Sequence, residues 1–375
     1  MDFVATCLFG LEKFVGEDID RLGYKRIETI DGRVTFTAPD EKAGDCVADC
    51  NVFFRYAERV LIKLGDFTAL TFEDLYQGTK ALPWENFIGR NDAFPVKGHS
   101  IKSKLFSIPD CQKIIKKAVI DRLSNVYKMK QFPENGIKYQ IEFFILNNKA
   151  ALMIDTTGET LHKRGYRKEE NLAPLRETLA AAMVTLSRPR ENVILVDPMC
   201  GSGTIAIEAA LLVTNTAPGL NRSFAAEQFP FVHKASWQNA REKARTAVTP
   251  PYTEIFGYDI DPKCVEISKN NASRAGMDFI HFAVRDIKNF EPPYPDVRGT
   301  IVTNPPYGER MGDQMSAREL AKLMGEKFLE KIPRWQKYII SADEEFEKYY
   351  GKRADKVRKL YNGMIKCGFY QYFKT

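Results

Sequence analysis

At 375 residues the chain is too long for one typical domain and suits two or three. With 44% hydrophobic and 28% charged residues it has the balance of a soluble protein with sizeable cores, and no run approaches the ~18 consecutive apolar residues of a membrane span. A net charge of +6 permits a polyanionic partner without demanding one, and seven scattered cysteines argue against a disulfide framework and for a reducing, cytoplasmic setting.

The opening Asp2–Phe9 lacks the basic stretch of a secretory signal and reads as a first strand running into Gly10. Val34–Thr37 reads as another strand and Asp45 to Val60 as a helix, so residues 1–65 form a small α+β unit. Cys46 and Cys50 are the one close cysteine pair; with no second Cys or His pair at matching spacing they read as buried thiols, and no metal is expected. From 66 to 160 a strand near Phe94–Lys97 is followed by a basic loop and a helix over Pro109–Val126. In that helix Ile114, Ile115, Ala118, Val119 and Leu123 recur at helical spacing. Strands Tyr139–Ile145 and Lys149–Asp155 follow, turned by Asn147-Asn148.

Residues 161–172 read as a polar, basic link in which His162 is expected to face solvent. Residues 173–375 begin with a strong helix carrying Pro174 in its first turn. Strands then alternate with helices: Val193–Val196, Glu254–Tyr258, Ile280–Val284, Gly299–Thr303 and Lys337–Ser341. This pattern predicts a parallel α/β sheet with helices on both faces. Asn362-Gly363, between Val357–Tyr361 and Met364–Cys367, predicts that the sheet ends in an antiparallel hairpin.

The strand Val193–Val196 runs into Asp197-Pro198-Met199-Cys200-Gly201-Ser202-Gly203-Thr204, which opens an apolar helix. Its G-x-G-x-x-A spacing is the general nucleotide fingerprint; glycine allows a tight turn and a close ligand. Alone it is a weak signal, since a bare strand-to-helix turn has the same form. No Gly-Lys-Ser/Thr follows, so a P-loop is excluded. The acidic strand end Asp259-Ile260-Asp261 lies beyond an insertion from Pro218 to Pro251, too far on for the usual dinucleotide spacing, yet a ribose-binding carboxylate is plausible there. Asp286, after the next strand, either accepts from an adenine amine or caps the following turn.

Asn304-Pro305-Pro306-Tyr307 falls at the C-terminal edge of the fourth strand, where open α/β sheets bind ligands. A base amine is a poor nucleophile because its lone pair is delocalised into the ring. The Asn304 side-chain oxygen and the Pro305 carbonyl can accept its N–H groups and localise that pair. The prolines stiffen the loop so that the acceptors are pre-positioned, and Tyr307 offers a face for an extruded base. Cys200, inside the glycine loop, reads as a loop residue rather than a nucleophile.

On these motifs residues 173–375 resemble a class I methyltransferase of the Asn-Pro-Pro-Tyr kind. The loop Asp197–Thr204, Asp259–Asp261, Asp286, Asn304–Tyr307 and the terminal hairpin occur in the family's order. The link Leu161–Arg167 and the run from Ala173 to Ala180 make the whole chain similar to THUMP-domain RNA methyltransferases, nearest the RlmL-like 23S rRNA guanine-N2 enzymes. The resemblance implies a Rossmann-like methyltransferase domain preceded by ferredoxin-like and THUMP domains. It implies S-adenosylmethionine held by Asp197, Pro198, Cys200, Gly201, Ser202, Gly203, Thr204, Asp259, Asp261, Asp286 and Asn304, with the base beside Asn304–Tyr307. It further implies a single methyltransferase activity on the N2 of a guanosine in 23S rRNA. A tRNA guanosine and a catalytically silent RNA-binding assembly factor are the alternatives; the oligomeric state is left open.

Lys97, Lys102, Lys104, Lys113, Lys116 and Lys117 concentrate positive charge in residues 66–160, where the resemblance places RNA. The same run equally suits a solvated helix face.

Overall fold

A computed structural model describes residues 1–168, 175–306 and 311–373, with residues 311–314 described in backbone only. The first half is β1 (Asp2–Cys7), α1 (Glu12–Arg21), β2 (Lys25–Ile30), β3 (Arg33–Thr37), α2 (Ala43–Phe53), β4 (Ala57–Thr68), α3 (Phe72–Ala81), β5 (Val96–Ile101), α4 (Ile108–Tyr127), β6 (Ile141–Leu146) and β7 (Lys149–Asp155). Its strands form one sheet in the order β2-β3-β1-β4-β7-β6-β5. The twelve-residue β4 pairs with β1 on one side and β7 on the other, so one sheet runs from residue 2 to residue 155. The helix expected over Asp45–Val60 stops at Phe53, and β4 begins at Ala57. The continuous apolar run Val52-Phe53-Phe54 hides that change, because buried helix and buried strand look alike when no Gly or Pro divides them. The Asn147-Asn148 turn has both φ angles positive, at 49° and 65°, which asparagine tolerates.

The second half is α5 (Glu177–Ser187), β8 (Val193–Asp197), α6 (Thr204–Val213), α7 (Lys234–Thr246), β9 (Ile255–Asp259), α8 (Pro262–Arg274), β10 (His281–Val284), β11 (Arg298–Thr303), α9 (Met311–Lys331), β12 (Gln336–Ser341), α10 (Phe346–Tyr350), β13 (Lys356–Asn362) and β14 (Ile365–Tyr372). Its sheet runs β10-β9-β8-β11-β12-β14-β13, parallel as far as β12 and antiparallel at the terminal hairpin. Alternate residues feed two cores: Leu195, Val302 and Ile340 lie with α5 and α6, whereas Val196, Ile301 and Ile339 lie with α9 and α10. Strand order reverses between β8 and β11, the crevice where open sheets take ligands.

Two expectations about the junction are corrected. The helix begins at Glu177, and Ala173 and Pro174 lie outside the described residues. The first part of the link is buried rather than solvated: Leu161, Arg164 and Tyr166 are within 4% of full burial. His162 is half-buried, with Nδ1 2.7 Å from Glu58 on β4. Glu58 also accepts from Arg176 (2.9 Å) and Thr178 (2.6 Å). Burial pushes its carboxyl up, but the bonds from His162, Thr178 and Arg176 hold it below the usual carboxylate value. Arg164 pairs with Glu208 of α6 in the interior and donates to the Leu161 carbonyl at 2.9 Å. These partners are distant in sequence, so local composition could not reveal them.

Candidate active site

Four adjacent parallel strands, β10, β9, β8 and β11, bring Asp286, Asp259, Asp197 and Asn304 to one edge. Asp197 ends β8 and is 1% exposed. Its Oδ1 accepts from the Thr303 hydroxyl at 2.7 Å and from the Met199 N–H at 3.3 Å. The first of these bonds joins the glycine loop to the residue before Asn304. Burial raises the Asp197 carboxyl to about 7, against the pull of those two bonds and helped by the nearby Asp259.

The loop turns as its glycines require. Gly201 and Gly203 have φ of 54° and 83°, and a Cβ on Gly203 would press on Ser268 at 3.1 Å. Asp259 accepts from the Gly201 N–H at 2.9 Å with one oxygen and from the Asp261 N–H at 3.0 Å with the other, so it ties the loop to the end of β9. Ser268 and Asn271 of α8 donate to the carbonyls of Gly201 (2.7 Å) and Ser202 (3.0 Å). Asp261 caps α8 through the Lys263 N–H, and Asp286 accepts from the Lys288 N–H at 2.9 Å. Of the two readings of Asp286, the cap is therefore present in the structure. Ser202 and Thr204 are buried with hydroxyls 3.3 Å apart. Cys200 is buried, its Sγ 3.7 Å from the Ser268 hydroxyl, and burial pushes its thiol well above the usual value. A thiol so protonated is a poor nucleophile, as the loop reading expects.

Thr303, Ser268, Asn271 and Arg167 were missed in the sequence. Arg167 donates to Thr204 Oγ1 at 2.9 Å and lies 3.3 Å from Glu177. Only Thr303, as neighbour to Asn304, carried a local clue.

Asn304 follows β11, half-buried, with Pro305 buried and Pro306 exposed; Tyr307 lies outside the described residues. Among the described residues no basic side chain forms an ion pair with Asp197 or Asp259. A cationic ligand with hydroxyls fits such an edge, and a sulfonium donor with a ribose meets both conditions.

The lysines of residues 66–160 divide. Lys97, Lys102, Lys104, Lys113 and Lys117 are exposed. Lys116 is engaged, bonded to Glu134 at 2.6 Å and lying 3.7 Å over the Phe94 ring. Lys113 lies 3.7 Å from Asp110. Cys46 and Cys50 sit one turn apart on α2, buried, with sulfurs 3.9 Å apart. No helix among the described residues is long and apolar enough to cross a membrane.

Family models match three stretches: the RlmL ferredoxin-like domain at residues 2–61, the THUMP domain at 69–155, and the RMKL-like methyltransferase domain at 164–371. The chain is 42% identical to the "Putative RNA methyltransferase YpsC" of Bacillus subtilis (strain 168), over 99% of this chain and 95% of that protein. It is 32% identical to the ribosomal RNA large subunit methyltransferase K/L of Psychromonas ingrahamii over 97% of its own length, and spans about half (49%) of that relative. The crystal structure of "SMU.472, a putative methyltransferase complexed with SAH" superposes with a TM-score of 0.90 at 39% identity, covering 100% of this chain and 98% of that one. With fold, motifs and matched models in agreement, the chain belongs to the RMKL-like methyltransferase family, carrying RlmL ferredoxin-like and THUMP domains ahead of the methyltransferase domain.

Proposed function

We propose that the protein transfers a methyl group from S-adenosylmethionine to the exocyclic N2 of a guanosine in 23S rRNA. The observation that carries this reading is the Thr303–Asp197 hydrogen bond, which fixes the amine-activating Asn304 against the loop assigned to the methyl donor. The relative named for large-subunit ribosomal RNA supports the substrate.

Asp197, Gly201, Gly203, Asp259 and Asp261 would hold the donor, with Asp286 at the adenine end. S-adenosylmethionine bound there supplies an electrophilic methyl on a sulfonium with a good leaving group. Asn304 Oδ1 and the Pro305 carbonyl accept the two N–H groups of the base and turn its lone pair towards that methyl. An N–C bond forms as the S–C bond breaks, and the displaced amine proton passes to solvent. No covalent enzyme intermediate is needed; alignment in a partly dry crevice lowers the barrier.

The test is labelled methyl transfer to 23S rRNA, 16S rRNA and tRNA from cells lacking the protein, followed by digestion to nucleosides. N2-methylguanosine in 23S rRNA alone is the expected result. Label in tRNA, or on adenosine, overturns the substrate while leaving the chemistry; no label in any RNA, despite cofactor binding, overturns naked RNA as the substrate and points to an assembly intermediate or to a silent RNA-binding factor.

A further inference from the structure

Edge strand β5 and the loop after it present an unusual surface. Lys97, His99 and Ile101 are exposed along the strand, while the intervening Gly98 is buried and lies so close to its β6 partner that a Cβ there would meet the Phe143 carbonyl at 2.1 Å. Lys102 and Lys104 follow, and then Phe106, which is 81% exposed. The loop is held rather than loose. Leu105 is buried, its carbonyl accepts from Ser100 Oγ at 2.5 Å, and the Lys104 N–H donates to Asn148 Oδ1 at 2.8 Å. Asn148 also accepts from the Ala69 N–H at 2.8 Å, bringing the half-exposed Leu70 and Phe72 to the same end of the sheet. Of the acids nearby, Asp74 caps α3, Asp110 accepts from Ser107 at 2.6 Å, and Glu142 stands opposite Lys97 on β6.

Lysines on an edge strand have a bland purpose, since they discourage pairing with another chain. An aromatic ring left four-fifths bare does the reverse, because it invites contact. A lysine track ending in an anchored, solvent-facing ring has the make-up of a platform for unpaired nucleotides, in which cations neutralise phosphates and the ring stacks on a base. The outer backbone edge of β5 is unpaired in the sheet, so an extended strand of nucleic acid can lie along it.

We infer that Lys97, Lys102, Lys104 and Phe106 form a single-stranded RNA-binding track in which Phe106 stacks on an unpaired base. The inference rests on the reading that RNA is the substrate and adds which form of RNA this face takes, and through which residue. Duplex RNA, whose bases are already stacked, offers Phe106 nothing.

The experiment uses the full chain, a short fluorescein-labelled single-stranded RNA and the same strand annealed to its complement. Phe106→Ala weakens single-strand binding about tenfold and leaves duplex binding unchanged, whereas Phe106→Trp keeps it. Trp84, Trp237 and Trp335 are all buried, so the introduced indole is the one exposed reporter, and single-stranded RNA quenches its emission. Lys102→Ala and Lys104→Ala each flatten the salt dependence of log K by about 0.7, while Phe106→Ala leaves that slope alone. Equal affinity of Phe106→Ala and the parent, or equal loss on both RNA forms, overturns the inference while methyl transfer to RNA stands. A parent protein that binds neither form overturns it too, and points this face to a protein partner.

Discussion

Asp197 is a carboxyl group held out of water with no cation paired to it among the described residues. Because its folded value is raised from 3.8 to about 7, the fold favours the neutral form. The stability this gives is fully present below 3.8 and is lost as pH rises towards 7. A cationic donor seated against Asp197 draws the carboxylate form instead, so cofactor binding near neutral pH should release protons. Calorimetry of S-adenosylmethionine binding in two buffers of different ionisation enthalpy measures this; identical heats would separate Asp197 from the donor. Asp197→Asn should abolish the release. At Asn304 the expectation differs: Asn304→Ala lowers methyl transfer about 10²–10³-fold, well beyond any loss of cofactor affinity, because it removes an acceptor needed as the amine attacks. Near-parental turnover would sink the mechanism. Asp197, the glycines and Asn304 were legible in the sequence because a strand end, a turn and a proline pair leave local signatures. The α8 pair Ser268–Asn271 leaves none, and Thr303 has only its place beside Asn304, since a hydroxyl or amide shows its task only when the fold supplies its partner.

Among the elements, α9 carries the chain away from the Asn304 loop and packs on α10 without room to spare. A Cβ at Gly325 would stand 1.9 Å from the Tyr350 carbonyl, which is backbone and cannot yield as a side chain would. Gly325→Ala should therefore destabilise the protein by about 1–3 kcal/mol through forced separation of the two helices, read as a lower urea midpoint. An unchanged midpoint would mean that α9 shifts freely. At this scale the strands of the second half were nearly all legible, because parallel strands bounded by turns and alternating with helices give a strong pattern. The α2–β4 change and the start of α5 were not. At Phe53–Ala57 an apolar run serves helix and strand equally, and at Glu177 the helix is set by the bonds Arg176 and Thr178 make to Glu58.

For the molecule as a whole, the buried link decides how its halves depend on each other. Arg164 joins the Arg55 carbonyl of the first half (2.5 Å) to Glu208 of the second, with both ionic side chains at most 2% exposed. Arg164→Ala leaves Glu208 in the interior without its ion-pair partner, its remaining donor the Tyr166 hydroxyl at 3.2 Å, and should cost about 3–5 kcal/mol. The parent should unfold in one transition, seen alike from Trp84 in the first half and from Trp237 and Trp335 in the second; single-tryptophan variants check this in urea. Two separate transitions would show the link to be a tether and not a joint.

The strand order at the end of the second sheet has a bearing on synthesis. β14 follows β13 in the chain yet lies inside it, between β12 and β13, and residues 337–341 find their outer partner only in residues 368–372. A ribosome delivers β13 first, with no place in the sheet to receive it. Until the later strand emerges, the edge of β12 stays bare beside the loop that bears Asn304, and the nascent chain needs cover there from a chaperone or from speed.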